Sequence, residues 1–337
     1  MSLCLSGRGF LEMTDSQAQT GNLIIRRFRH DDVPEILELF SISFGSPESE
    51  EWFLWKYERS PWSTAGYVAF DKDIAVAFYG GLKLKFSFRG DILWAYQFCD
   101  VMTHPGYRGK FAGKRPVIVR LGELFYAENS MDFAFGFPSP RHARLQSLML
   151  GGEGYRFINV YKKDFFKTVF LTGSFGIREG WDCLNDNGVD RLIAYEKYEG
   201  SLAFAKNMDY LKWRYLERPF RSYSLLTFRS FSRIKGAIVF KIEDGCMDIL
   251  ELFYEDTADI QGIVRSIEKY AFKSLNLKGI KLWAHYQDPI SKCLDSLGYC
   301  REDGIPVAFK PVNPECGVNG DVFYSNFLYN MGDYDAS

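Results

Sequence analysis

The sequence predicts an α+β fold made of two similar halves, each a twisted, mostly antiparallel mixed sheet with flanking helices. Three observations lead to this prediction. Short apolar runs rich in aromatic residues, which make up 17% of the chain, are typical of strands. A few segments with helical apolar spacing separate those runs. A Trp-basic-Tyr element with a proline four residues further on occurs twice, 158 residues apart. A chain of 337 residues also exceeds a typical single domain.

Composition excludes several classes of function. The net charge of −2 and the absence of a basic stripe argue against a nucleic-acid partner. No apolar run is long enough to span a membrane and no signal peptide is recognisable, so a cytoplasmic location is expected. Seven scattered cysteines without a C-x-x-C pair, and only four histidines, argue against disulfides and a metal site.

The elements of the first half follow in order. Residues 1–22 are rich in Ser, Gln, Gly and Thr, and we expect a flexible tail. The pattern then predicts a strand at 23–29, helices from Asp31–Asp32 to Phe44 and at 49–58, strands at 67–70, 74–80, 82–88 and 92–102, a helix at 116–129 and a strand at 132–137. This order describes an antiparallel meander followed by one βαβ crossover.

The repeated element organises the rest of the chain. Trp55 and Trp213 each begin one copy, and each copy precedes a strand–turn–strand pattern. Gly154-Tyr155 likewise has a counterpart in Gly298-Tyr299. We therefore expect two domains of one fold, at 23–165 and 207–337, joined by a turn-rich connector at 166–206.

The segment between the last meander strand and the following helix carries the chemistry. Residues 108–114 read R-G-K-F-A-G-K. The glycines allow a tight turn, the helix that follows offers free N–H groups and its positive dipole end, and basic side chains add charge, so the segment favours a pyrophosphate. Walker A and Rossmann loops are excluded, because the spacing of Gly106, Gly109 and Gly113 fits neither pattern.

The run T-H-P-G-Y-R-G-K-F-A-G at 103–113 resembles the acetyl-CoA signature Q/R-x-x-G-x-G/A of the GNAT N-acetyltransferases. The run F-G-F-P-S at 135–139 resembles the family's splayed strand end, and the resemblance covers about residues 23–165. It implies that acetyl-CoA is bound by Val101, Met102, Thr103, Arg108, Gly109, Lys110, Phe111, Ala112, Gly113, Lys114 and Ser139. Phe111 stands where the first glycine is usual, and Ser139 where asparagine is usual.

The same resemblance implies transfer of an acetyl group to an amine of a small molecule, an amino sugar or a peptide by direct attack. Asp100 is the first candidate for the general base, because a carboxylate inside an apolar strand needs a reason; the alternative is a hydrogen-bonded structural role. Tyr107 is a weaker catalytic candidate. The family's thiolate-protonating tyrosine falls on Leu150 in this chain, with Tyr155 nearby.

Other side chains have alternative roles. By analogy with tandem relatives, Asp333, Asp335 or the terminal carboxylate is a second candidate for the base. His104 belongs to the entry of the loop, and His142 either touches substrate or lies on a helix face.

The second half lacks a comparable loop. Its segment 254–258 has no glycine and carries two carboxylates, so one acetyl-CoA per chain is expected and no metal. The arrangement resembles tandem-GNAT bacterial proteins of the enhanced intracellular survival type, with a degenerate second copy. Two alternatives stay open: an aminoacyltransferase resembling the FemABX family, and an inactive CoA-binding or interaction module. Neither a nucleic-acid nor a membrane partner is expected, and a homo-oligomer is left open.

Overall fold

A computed structural model gives the fold and describes residues 18–20, 23–112, 114–165, 175–185, 187–193 and 200–334. The strands are β1 Ala18–Thr20, β2 Leu23–Arg27, β3 Thr64–Asp71, β4 Ile74–Phe88, β5 Asp91–Thr103, β6 Phe111–Ala112, β7 Arg115–Pro116, β8 Phe133–Gly136, β9 Tyr155–Asp164, β10 Gly176–Glu179, β11 Leu202–Phe204, β12 Ser224–Ser230, β13 Arg233–Glu243, β14 Cys246–Tyr254, β15 Gly279–Trp283, β16 Cys300–Pro311 and β17 Phe327–Leu328. The helices are α1 Val33–Phe44, α2 Glu50–Tyr57, α3 Val117–Glu128, α4 Pro140–Met149, α5 Asn187–Ile193, α6 Met208–Leu211, α7 Ile260–Lys269, α8 Pro289–Ser296 and α9 Gly320–Asn326.

One large mixed sheet forms the body of the protein. Its strands follow the order β1-β2-β3-β4-β5-β8-β16-β9-β15-β14-β13-β12-β10, with β11 beside β4. Most neighbours are antiparallel, whereas β5 and β8 are parallel, as are β14 and β15. The predicted mixed, mostly antiparallel sheet with flanking helices is confirmed. In each of these two parallel pairs the strands are connected by a crossover through a helix, α3 in one half and α7 in the other.

Strand β9 of the first half and strand β16 of the second half each pair with a strand of the other half. Strand β9 pairs with β15, strand β16 pairs with β8, and β9 and β16 pair with each other. The largest core cluster accordingly contains side chains from both halves, such as Phe135 and Phe309. The sheet is therefore continuous from the first half to the second. The division into domains at 23–165 and 207–337 stays a prediction.

The predicted tail and connector contain regular structure in their described parts. Strand β1 lies inside the segment expected to be a flexible tail, and it pairs with β2. Strand β10, helix α5 and strand β11 lie within the segment expected to be a turn-rich connector, where β11 pairs with β4 and β17. Backbone pairing to the main sheet accounts for both differences.

The two copies of the repeated element meet at the centre of the molecule. The indole N–H of Trp55 donates to the carbonyl of Trp213 at 2.8 Å, and the indole N–H of Trp213 donates to the carbonyl of Trp55 at 2.9 Å. Their rings stack with centroids 5.0 Å apart. Such reciprocal contacts arise when equivalent residues face each other across a local two-fold axis.

The expected break between strands 74–80 and 82–88 is absent, because β4 is continuous from Ile74 to Phe88. The two glycines at its middle allow close packing. A Cβ atom at Gly80 would lie 2.0 Å from the hydroxyl of Tyr57, and one at Gly81 would lie 2.4 Å from the ring of Phe125. Glycine here makes room for aromatic side chains of the two flanking helices, α2 and α3, instead of turning the chain.

Candidate functional site

A cleft of about 440 Å³ opens where β5 and β8 diverge. The two strands pair only between Ala95–Gln97 and Phe133–Phe135, so in the described part the rest of β5 has no strand neighbour on this side. The cleft is lined by Ser43, Phe44, Val101, Met102, Thr103, Tyr107, Arg108, Gly109, Lys110, Pro116, Val117, Ile118, Ser139, Arg141, His142 and Leu145.

This cleft gathers most of the residues that the sequence proposed for the cofactor. Val101, Met102, Thr103, Arg108, Gly109, Lys110 and Ser139 all line it. Lys114 is exposed and does not. Phe111 and Ala112 form the short strand β6, but their side chains, like Gly113, lie outside the described residues. Their binding of a cofactor stays a prediction.

Sequence reasoning named His142 as a candidate for contact with substrate but missed the other residues that two helices contribute to the cleft. The C-terminal end of α1 supplies Ser43 and Phe44, and the first turns of α4 supply Arg141, His142 and Leu145. A basic residue directly after Ser139-Pro140 was the available signal for Arg141, because it places a positive charge in the first turn of the helix that follows the splayed strand.

The loop that enters the cleft from β5 is held by local contacts. His104 caps a short 3₁₀ turn by accepting the N–H of Gly106 on Nδ1 at 3.1 Å. The hydroxyl of Tyr107 donates to Asp71 at 2.6 Å, and the ammonium of Lys110 lies 3.9 Å from the centre of the Tyr107 ring. Gly109 turns the chain with a φ of +85°, in the region that favours glycine.

Helix α3 points its N-terminus at the same cleft. The helix begins at Val117, one residue later than the predicted start at Pro116. Pro116 therefore directly precedes the first turn. The N–H of Val117 donates to the carbonyl of Lys110 at 3.2 Å, which ties the helix start to the loop. Free N–H groups and the positive dipole end of a helix favour an anion.

Asp100 occupies a bulge in β5 beside the cleft. Phe78 of β4 faces Met102 while Gly80 faces Cys99, so β5 holds one extra residue here, and Asp100 has a φ of +49°. Aspartate tolerates this left-handed conformation better than most residues. The sequence signal of a carboxylate inside an apolar strand therefore has a backbone explanation.

The carboxylate of Asp100 is bound by helix α2. The ammonium of Lys56 lies 2.7 Å from it, and the hydroxyl of Tyr57 donates to it at 2.7 Å. Only 2% of the Lys56 side chain and 9% of the Asp100 side chain are exposed. Burial, followed by the charge of Asp100, raises the pKa of Tyr57, so this hydroxyl keeps its proton. The role of Asp100 as general base stays a prediction.

The other catalytic candidates lie in different environments. Tyr107 borders the cleft with its hydroxyl bound to Asp71. Leu150 is buried against Gly122 and Tyr79 and does not line the cleft. Asp333 is buried, and its carboxylate pairs with Lys206 at 2.5 Å. Asp335 lies outside the described residues.

His142 is the histidine that lines the cleft. Its backbone N–H donates to the Ser139 hydroxyl that caps α4, and its ring stacks on Phe98 with centroids 6.0 Å apart. Burial lowers the pKa of its imidazole to about 4. The side chain is therefore neutral at physiological pH.

We predict a specific acid sensitivity from this burial. The unfolded chain protonates His142 near pH 6.5, whereas the folded protein does so near pH 4. Between these values the unfolded state binds the additional proton, so the free energy of unfolding falls as the pH is lowered. In urea unfolding at pH 7 and pH 4.5, wild type should lose more stability than His142→Asn. An identical loss in both proteins would contradict the neutral, buried imidazole.

In the second half, a hydrogen bond joins the end of β14 to the start of α8. The hydroxyl of Tyr254, at the end of β14, donates to Asp288 at 3.0 Å, and Asp288-Pro289 starts α8 as Ser139-Pro140 starts α4. In the loop that follows β14, Glu255 lies 2.5 Å from Arg233 and 3.3 Å from Arg191.

The described part of the chain contains no group of three or more His, Cys, Asp or Glu side chains placed to hold a metal ion. None of its helices combines the length and apolar character that crossing a lipid bilayer requires.

Known proteins resemble this chain in the sequence of its N-terminal part and in its fold. Residues 24–142 match the model of an acetyltransferase (GNAT) domain. No protein in the curated set matches the sequence.

Solved structures share the fold at low sequence identity. A conserved protein of Enterococcus faecalis V583, described as a probable N-acyltransferase, superposes with a TM-score of 0.68 at 13% identity, over 86% of this chain and 73% of that one. A GCN5-related N-acetyltransferase of Anabaena variabilis has a TM-score of 0.65 at 11% identity, over 87% of this chain and 73% of that one. Another, of Kribbella flavida, has a TM-score of 0.59 at 13% identity, over 88% of this chain and 72% of that one. Residues 24–142 are therefore similar to a GNAT acetyltransferase domain, and the chain has a GNAT-like fold.

Proposed function

We propose that the protein is an N-acyltransferase that moves an acetyl group from acetyl-CoA to an amine on a small molecule, an amino sugar or a peptide. The observation that carries the proposal is the cleft between β5 and β8. It combines an unpaired strand edge, a helix N-terminus and the basic residues Arg108, Lys110 and Arg141 within or directly beside the segment that matches the acetyltransferase domain.

The lining of the cleft fits an acyl-CoA. The backbone of Val101–Thr103 is free of strand pairing on the cleft side in the described part, so its amides can bind an extended pantetheine-like chain and a carbonyl oxygen. The first turn of α3 and the three basic side chains suit phosphates. When bound, acetyl-CoA supplies an activated acyl thioester, and the protein orients it and excludes water.

We further propose that the two halves arose as copies of one unit and that only the first binds a cofactor. The reciprocal contacts of Trp55 and Trp213, and the crossovers through α3 and α7, support the duplication. The Tyr254–Asp288 hydrogen bond and the acidic loop support a closed second slot. The second half then shapes the acceptor side and completes the sheet of the first.

A charge reversal tests the cofactor cleft. Arg141→Glu should weaken acetyl-CoA binding at least about tenfold, because it removes one cationic contact and adds a negative charge in the cleft. Arg144→Glu, three residues further along α4, is the matched control, since Arg144 is exposed and does not line the cleft. Titration calorimetry at low salt measures both. Equal affinity of the two variants would place the phosphates elsewhere.

An acceptor screen tests the activity. Purified protein is incubated with acetyl-CoA and amino sugars, aminoglycosides, polyamines or peptides with free N-termini, and released thiol is followed. Transfer to any of these amines supports the proposal. Binding without transfer to any class would favour the inactive CoA-binding module, and transfer only from aminoacyl-tRNA would favour the FemABX-like alternative.

A further inference from the structure

A closed ring of hydrogen bonds lies beneath the cleft. The hydroxyls of Tyr79 and Tyr126 are 2.7 Å apart, Tyr126 donates to Oε1 of Gln146 at 3.3 Å, and Nε2 of Gln146 donates to the Tyr79 hydroxyl at 2.5 Å. A tyrosine has one proton to give. Since Tyr126 gives its proton to Gln146, Tyr79 must donate to Tyr126, and every member of the ring is satisfied.

This ring reaches His142. With the Gln146 amide oriented as the structure assigns it, the second N–H of Nε2 points to Nε2 of His142 at 3.3 Å. That nitrogen is then an acceptor. A neutral imidazole carries one proton, so in His142 the proton lies on Nδ1. Within the described residues, Nδ1 has no hydrogen-bond partner, and the side chain borders the cleft.

The position of the ring along the cleft is also informative. His142 lies beside Phe98, centroids 6.0 Å apart, and beside Tyr79, centroids 6.5 Å apart. Phe98 lies two residues before Asp100 of the β5 bulge, and Tyr79 is the β4 residue that faces the bulge. The imidazole is therefore level with the bulge, whereas Arg108 and Lys110 follow the end of the strand.

Two other hydroxyls that line the cleft make structural contacts, and that of Ser43 at the end of α1 is buried without a hydrogen-bond partner among the described residues. Tyr107 gives its proton to Asp71, and the Ser139 hydroxyl accepts the N–H of His142 as a helix cap. Leu150 has no proton to donate and is buried away from the cleft. Among the described residues that line the cleft, the Nδ1–H of His142 is a side-chain donor that the hydrogen-bonded ring holds in one tautomer.

We propose that His142 is a catalytic residue whose Nδ1–H hydrogen-bonds the sulfur of the acyl-CoA and stabilises it as it leaves. The inference rests on the acyl-CoA function proposed above. The amine forms a bond to the acyl carbon, the carbon–sulfur bond breaks, and sulfur keeps the electron pair as a thiolate. The proton of the amine passes to a general base or to solvent. His142 keeps its own proton and acts by hydrogen bonding.

Amide variants separate the two ring nitrogens. The side-chain nitrogen of asparagine is as many bonds from Cα as Nδ1, and that of glutamine as many as Nε2. His142→Asn should therefore retain the effect, whereas His142→Gln and His142→Phe should lose it. The probes are CoA and its analogue without sulfur, desulfo-CoA, which share every other contact.

Two readouts do not depend on turnover. The ultraviolet absorbance of the thiolate gives the pKa of bound CoA, which should lie below that of free CoA in wild type and His142→Asn only. Calorimetry at a pH where the bound thiol is ionised should show CoA about tenfold tighter than desulfo-CoA in the same two proteins. Nitrogen-15 NMR of labelled histidine should show His142, identified by its loss in the variants, with the proton on Nδ1.

The outcomes distinguish the two claims. Binding of both probes with the same thiol pKa in all four proteins, or a proton on Nε2, would overturn the role of His142 while leaving the cofactor cleft intact. Failure of both probes to bind wild type would overturn the proposed function itself.

Discussion

Replacing Asp100 with asparagine is expected to destabilise the protein by about 3–5 kcal/mol, because the change removes the negative charge 2.7 Å from the buried ammonium of Lys56. The double variant Asp100→Asn/Lys56→Met should recover most of this loss, since it removes both charges and puts an unbranched apolar side chain in place of the lysine. Urea unfolding measures each free energy.

An exposed pair provides the matched control. Arg178 and Asp182 also form an ion pair, but half or more of each side chain is exposed. Asp182→Asn should therefore change stability by less than about 1 kcal/mol. A similarly small effect of Asp100→Asn would contradict the buried pair.

The same variants test the general base. If Asp100 also accepts the proton of the amine, the stable double variant should remain about 10²–10⁴-fold slower than wild type. If the carboxylate only fixes the bulge and α2, the turnover of the double variant should lie within a few fold of the wild-type value. Comparing stability with turnover in one protein separates these roles.

Replacing Lys206 with methionine is expected to have an effect of similar size. The ammonium lies 2.6 Å from Glu251 and 2.5 Å from Asp333, and all three side chains are almost fully buried. Burial alone would lower the pKa of Lys206, but the charges of Asp333 and Glu251 raise it overall. Without the ammonium, two carboxylates share a dry site with the hydroxyl of Tyr215, which donates to Glu251 at 2.6 Å.

The expected loss is at least about 3–5 kcal/mol, with the C-terminal segment released first. Asp333 belongs to that segment, and its carbonyl accepts a hydrogen bond from Gln97 of β5 at 2.8 Å. Limited proteolysis should therefore cleave near the C-terminus of Lys206→Met, while Lys206→Arg, which keeps the charge, should resist. Burial already raises the pKa of Glu251, so the loss should shrink at lower pH as the carboxylates protonate. Full stability at pH 7 would contradict the network.

Local patterns predicted the elements that depend on local sequence. The meander, the crossover helix and the loop at 103–113 follow from apolar spacing, from glycine positions and from a strand–loop–helix order that needs no distant partner. The repeated Trp-basic-Tyr element predicted two similar halves, and the contact between its two copies is a finding of the structure.

Long-range partners could not be read in the same way. Apolar strands such as β9 and β16 can pair with either half, so nothing local indicates their exchange. The bulge at Asp100 depends on Lys56 and Tyr57 of α2, which are more than forty positions earlier in the chain. Arg141 and His142 reach the cleft only through the orientation of α4, which tertiary packing sets.

The central claim is one acyl-CoA site per chain, in the cleft between β5 and β8. Titration calorimetry of the full chain with acetyl-CoA tests it most directly, alongside Arg141→Glu and Arg144→Glu. We expect a stoichiometry of one, an affinity that falls at least about tenfold in Arg141→Glu and an unchanged affinity in Arg144→Glu. A stoichiometry of two, or no binding to wild type, would contradict it.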